Sequence, residues 1–195
     1  LTCIVSTSYL PPVSYFRTLA RHGSYLLEAH EHFVKQTIRN RCEIAGANGT
    51  LTLTVPIAHA DRWRTPIREL KISGTAWKQQ HWRSIFSAYG KSAFFTYYAD
   101  ELEQILFRSH VFLWDLNLEL TEKLSGWLQL PTKMAVTSEY VASYPDLVDF
   151  RNFRVDKRKE ERPYYQIFSE RHGFKGDLSA IDLLFNTGPE ARSFI

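Results

Sequence analysis

Thr2-Cys3-Ile4-Val5-Ser6-Thr7-Ser8-Tyr9-Leu10-Pro11-Pro12-Val13 opens on β-branched and small residues that run into two prolines. The first part reads as a strand. Proline fixes φ near the helical value, so Pro11-Pro12 suit the first turn of a helix through Val13 to Arg21. His22-Gly23 ends that helix, and Ser24-Tyr25-Leu26-Leu27 reads as a second short strand. A strand, a helix and a strand in this order form a βαβ unit, which predicts an α/β fold.

Working outward, Cys42 to Ile44, a turn at Ala47-Asn48-Gly49 and Leu51-Thr52-Leu53-Thr54-Val55 read as a β-hairpin. Ile67, Leu70 and Ile72 suggest another strand, closed by Gly74. Thr75 then stands where it can cap a helix from Ala76 to Tyr89, stopped by Gly90. Phe94 to Phe107 and Val111 to Leu128 read as two further helices; in the second, Leu113, Leu116, Leu120, Leu124 and Trp127/Leu128 recur at three- and four-residue spacing. Met134 to Thr137 returns as a strand. The mixed-charge run from Asp146 to Arg162 reads as either an exposed helix or a loop. Ser179 with Asp182 three residues later resembles a capping box at the start of a short helix, which Asn186-Thr187-Gly188-Pro189 terminates. The expected architecture is a strand–helix–strand unit with a β-hairpin, a central group of helices and a short carboxy-terminal helix.

The 195 residues fit one domain, taken as 1–195. A net charge of +3, with 24 Lys and Arg against 21 Asp and Glu, lacks the gathered basic excess of a duplex-DNA binder, so no nucleic-acid partner is expected. Cys3 and Cys42 define no disulfide framework, and a reducing cytoplasm is the simplest setting. Asp115, Asn117, Glu119, Glu122 and Lys123 interrupt the most apolar stretch, so no integral membrane segment is expected. The chain begins at Leu1 without a methionine, which points to removed or missing residues before it.

Gly-rich phosphate loops, paired CxxC, HExxH and GxSxG are absent. His30-Glu31-His32 offers two imidazoles but no third local ligand, and a surface role is the preferred reading; no metal and no cofactor is assigned. Lys35, Arg39 and Arg41, with Asn40 between the arginines, present an ammonium and two guanidinium forks suited to phosphate or carboxylate oxygens; a solvated basic turn is the competing reading. Trp77 and His81, four residues apart, could form a stacking platform with a general base, or a packed aromatic beside a hydrogen-bonded imidazole. Trp77, Trp82 and Tyr89 are expected to be mainly core. Asp182 and Asn186 fall on one helical face and are expected to converge on a pocket beside Arg41.

Ser8-Tyr9-Leu10-Pro11 with Tyr15-Phe16, the block Lys35 to Arg41, Gly49, Leu53-Thr54-Val55-Pro56, Trp77/His81/Trp82, Ala88-Tyr89 and the ending Leu178 to Glu190 together resemble the WbqC-like family. The resemblance implies a cytoplasmic bacterial protein of O-antigen or capsule biosynthesis. It implies transfer of glycine or a similar acyl group onto a nucleotide- or lipid-linked amino sugar, so the expected partner is a small amino-sugar or phosphate-containing ligand. A non-catalytic module that binds a nucleotide sugar or a partner enzyme is the alternative. On the first reading His81 and Asp182 are the catalytic candidates, and Lys35, Arg39, Asn40, Arg41, Trp77 and Asn186 the substrate-binding ones. Three features depart from the family pattern. Ser6-Thr7-Ser8 stands where members carry a His-Gln pair, His30 stands where many have an acidic residue, and the region after Glu139 is shorter.

Overall fold

The opening twenty-seven residues form the predicted unit: β1 (Thr2–Ser6), α1 (Val13–His22) and β2 (Ser24–Glu28), with the two strands parallel and in register from Thr2 opposite Ser24 to Ser6 opposite Glu28. The computed structural model describes residues 2–58, 64–153 and 162–195. Gly23 ends α1 in the left-handed conformation at φ 67°, where its N–H reaches back to the Leu19 carbonyl. The buried face of α1, Val13, Tyr15, Phe16 and Leu19, packs on β1 and β2.

The hairpin forms from β3 (Arg41–Gly46) and β4 (Gly49–Thr54), joined by the two-residue turn Ala47-Asn48. Gly49 takes φ 112°, a conformation that side chains with a Cβ resist. Helices α2 (Ala76–Tyr89), α3 (Phe95–Phe107) and α4 (Leu113–Trp127) follow, close to their expected limits. On α2 the buried positions are Trp77, Lys78, His81, Ile85, Ala88 and Tyr89; Trp82 is half-buried against Phe95 and Phe86 is exposed. Then come β5 (Lys133–Val136), β6 (Val148–Phe150), the single turn α5 (Ser169–His172) and α6 (Ala180–Thr187).

The larger sheet has the order β5-β2-β1-β6, parallel throughout. The chain winds outward from β1 through β2 to β5, then returns to the opposite side of β1 as β6. The winding direction therefore reverses between β1 and β6. In open parallel sheets ligands bind outside the carboxyl ends of the strands at such a reversal.

Four local expectations need correction. Ile67, Leu70 and Ile72 do not make a strand: Pro66 leads into a 3-10 turn, Ile67–Glu69, and only single bridges follow, Ile57 to Ile72 and Lys71 to Phe112. The buried pair Ile67 and Leu70 has the three-residue spacing of that turn. In the charged run, Val148–Phe150 is an edge strand on β1, neither helix nor loop; residues 154–161 of the run lie outside the described residues. Thr75 occupies the N-cap position of α2 without a side-chain cap bond. At α6, Ser179 likewise occupies the N-cap position without a cap bond, and the Asp182 carboxylate bonds elsewhere.

Candidate functional site

The carboxyl ends of the four parallel strands gather a set of buried charges. Glu28, the last residue of β2, is fully buried: Oε1 accepts from the His30 N–H (2.9 Å) and the Thr137 hydroxyl (2.9 Å), and Oε2 accepts from Arg151 Nη1 (3.2 Å). Arg151 follows β6 directly. Its Nη2 donates to Asp149 Oδ2 (2.6 Å) and the Ala142 carbonyl (3.0 Å), Nη1 donates to the Val141 carbonyl (2.7 Å), and the rings of Tyr140 and Tyr144 lie 5.2 and 5.5 Å from it. The hydrogen bonds from Arg151 hold the Asp149 carboxyl below the ordinary carboxylate range.

Arg39 makes the second buried pair. It grips Glu31 with both Nε (2.9 Å) and Nη2 (2.5 Å), while Nη2 also reaches Ser6 Oγ (2.7 Å) and the Arg151 carbonyl (3.0 Å). Ser6 closes the ring, donating to the same Arg151 carbonyl at 2.8 Å. Ser6 thus binds the end of β1 to the end of β6. The two buried guanidinium forks and the buried carboxylates of Glu28 and Glu31 need this saturation, because an unpaired buried charge is strongly destabilising; Asp149, the third carboxylate, is half-open.

Above these pairs lies a cavity of about 390 Å³ lined by His30, Glu31, Arg39, Tyr140, Asp149 and Arg151, among others. Tyr140 is 54% exposed in it. His30 places Nε2 3.1 Å from the Thr137 carbonyl, and a carbonyl only accepts, so Nε2 carries a proton and the lone pair of the neutral ring falls on Nδ1. Arg39 was legible as a binding candidate; Glu28, Glu31 and Arg151 were not assigned. A charged residue directly after the apolar run Tyr25-Leu26-Leu27 of a βαβ opening was the available signal for Glu28, since that is where such sheets hold ligands.

The other expected residues lie apart. His81 is 3% exposed, with Nδ1 2.8 Å from the Tyr9 hydroxyl and the Trp77 ring edge-on at 5.1 Å; burial pushes its pKa down to about 4. Trp77 is buried beside it. Neither lines a described cavity. Asp182 is fully buried and accepts from the Tyr89 hydroxyl (2.9 Å), the Tyr164 hydroxyl (2.7 Å) and Gln166 Nε2 (2.7 Å); burial raises its pKa against the lowering by these bonds. Asn186 donates from Nδ2 to the Asp182 carbonyl one turn back (2.7 Å). These two residues do not converge on Arg41; the closing segment meets Arg41 through Asp177 and Ser179 instead. Asn40 ties its segment to the end of β4 through the Val55 carbonyl. Lys35 is half-buried, and Arg41 lines a different cavity from Arg39, so the three cations do not form one cluster at the sheet end.

Both thiols are free and buried, and burial pushes Cys3 up to about 11 and Cys42 higher still, so neither is a thiolate at neutral pH. Among the described residues no group of three His, Cys, Asp or Glu is placed to hold a metal ion, and no helix is long and apolar enough to cross a membrane.

Comparison with known proteins identifies the lineage. The WbqC-like protein family matches residues 7–166. The chain belongs to that family. The matched span takes in the ends of β2 and β6 and the segment carrying Arg39, whereas the closing segment after 166 lies beyond it. An uncharacterized protein of Mycobacterium tuberculosis is 30% identical to this WbqC-like chain over 224 aligned positions, covering 98% of this chain and 96% of the relative. No solved structure matches.

Proposed function

We propose that this WbqC-like chain is a group-transfer enzyme that places an acyl or aminoacyl group on the amine of an amino sugar in bacterial surface-polysaccharide assembly. The observation that carries this reading is the polar cavity at the strand reversal, where an accessible aromatic face, Tyr140, stands beside the half-open carboxylate of Asp149. Sugar rings stack their apolar face on aromatic side chains, and a carboxylate attracts the ammonium of an amino sugar. His30 and His32 both line this cavity; His30 is assigned the proton removal because its Nε2 is fixed on the Thr137 carbonyl, which in the neutral ring leaves the lone pair on Nδ1. In the transfer, His30 takes one proton from the bound ammonium, the freed amine attacks the donor carbonyl, and the bond to the donor's leaving group breaks as a second nitrogen proton passes to that group. Arg39 and Arg151 are held by their own carboxylates, so they shape the floor and leave any phosphate of a nucleotide or lipid carrier at the mouth.

That saturation favours a second reading, a non-catalytic module that holds the sugar without turnover. Isothermal titration with nucleotide-linked amino sugars, followed by mass spectrometry of the mixture with acyl-CoA and aminoacyl donors, separates the two. Acylated sugar that is lost in His30→Gln supports transfer; saturable binding without product supports the module; no binding of any amino sugar overturns both.

A further inference from the structure

A second cavity, of about 190 Å³, lies across the segment 36–41 from the sheet-end cavity and is lined by Leu10, Gln36, Thr37, Arg41, Asp177 and Ser179, among others. Three of the four described non-glycine residues with left-handed backbone line it: Leu10 at φ 42°, Gln36 at 59° and Asp177 at 53°. Such conformations persist where the surroundings enforce them.

Two buried polar atoms on its walls have no hydrogen-bond partner among the described residues, Arg41 Nε and Ser179 Oγ. Ser179 is 1% exposed and sits at the start of α6, yet its hydroxyl does not cap that helix. Arg41 makes no described ion pair, in contrast to Arg39 and Arg151 nearby. Buried donors are almost always satisfied, and two left open on one cavity point to an acceptor supplied from outside.

The walls restrict that acceptor. Glu43 and Asp177 bring carboxylates to the same cavity, Asp177 holding the start of α1 through the Ser14 N–H (2.7 Å) and hydroxyl (2.6 Å). These carboxylates repel a doubly charged phosphate about twice as strongly as a single negative charge, and Arg41 is the one cation lining the described walls. Leu10, Pro12 and Cys42 supply apolar contact. The volume equals that of roughly six waters of liquid, which limits the guest to a small molecule.

We propose that this cavity binds the carboxylate of a small organic acid, with the Arg41 guanidinium and the Ser179 hydroxyl as donors. The site is separate from the sheet-end cavity and does not depend on the group-transfer reading.

The test follows the Arg41 Nε–H resonance by ¹H–¹⁵N NMR at neutral pH while butyrate, inorganic phosphate or butylammonium is added. Butyrate is expected to shift it saturably, phosphate more weakly and butylammonium not at all. Arg41→Gln should abolish butyrate binding, and Ser179→Ala should weaken it about tenfold without lowering the melting temperature, because the hydroxyl has no internal bond to lose. Arg41→Lys, which keeps the charge and removes the fork, should also weaken it. No saturable response to butyrate, a stronger response to phosphate, or unchanged binding in Ser179→Ala and Arg41→Lys would overturn the assignment.

Discussion

Two regions of this protein bury carboxylates, and they use them differently. In the helical core, Asp182 lies between α2, α6 and the segment around Tyr164, and receives three donors; a shallow space of about 10 Å³ reaches only its partner Gln166. At the sheet end, Glu28 is as deeply buried and Glu31 nearly so, but their guanidinium partners line an open cavity together with His30 and Tyr140. The chemistry of the buried group is the same in both. Access to a space large enough for a ligand distinguishes a group that fastens helices together from one that frames a binding site.

The largest expected effect breaks the sheet-end region. Arg39→Ala leaves Glu31 buried without its fork and loosens the tie between Ser6 and Arg151, and is expected to cost about 3–5 kcal/mol in urea denaturation. Combining Arg39→Met with Glu31→Leu should restore most of that loss while still impairing ligand binding. Full binding in the double variant would show that the pair only fills space.

The core region separates by pH. His81 has its pKa lowered from 6.5 to about 4 by burial, so the unfolded chain takes up its proton first. Stability from this group is full above the unfolded value and falls as pH drops through the interval, by about 3 kcal/mol in total. Asp182 acts in the opposite sense. Its folded pKa is raised, so its contribution is greatest when protonated and declines as pH rises from the unfolded carboxylate value towards the folded one. His81→Gln should flatten the acid limb of the stability profile; Asp182→Asn should remove the opposing slope and cost about 1–3 kcal/mol at neutral pH, since one acceptor becomes a donor. Urea midpoints between pH 4 and 7 (a range of about three units around these values) check both.

A smaller effect sharpens the functional side. Tyr140→Ala removes an exposed ring from the cavity and should weaken amino-sugar binding about tenfold, as expected for a stacking contact, with melting nearly unchanged. The smallest concerns a pair that belongs to neither region: Lys123 and Glu101 meet on the exposed faces of α4 and α3, and Lys123→Ala should change stability by less than about 0.5 kcal/mol.

Periodicity made much of the fold legible. The β-branched and small residues before Pro11, the glycine at Gly23 and the leucine spacing from Leu113 to Leu124 each report a local preference that packing then uses. β6 was not legible because three residues, Val148-Asp149-Phe150, carry too little pattern, and their strand conformation comes from pairing with a partner at the other end of the chain. Missing β6 also hid Arg151, which read as one cation in a solvated run. In sequence Glu31 reads as a neighbour of two histidines and Arg39 as a ligand for phosphate; that this cation is neutralised internally depends on tertiary contact alone.

Ser6 and Arg151 meet across 145 residues of chain. Closing so long a loop is slow compared with forming the β1–β2 pair, whose strands are only 22 positions apart. On a ribosome the amino-terminal unit and hairpin emerge long before β6 exists, so nascent chains carry β1 with one side unpaired and Glu28 without Arg151. The cavity at the strand reversal is therefore assembled late, and a polypeptide cut short before 148 would retain most of the helices while lacking both an edge of the sheet and the wall of its site.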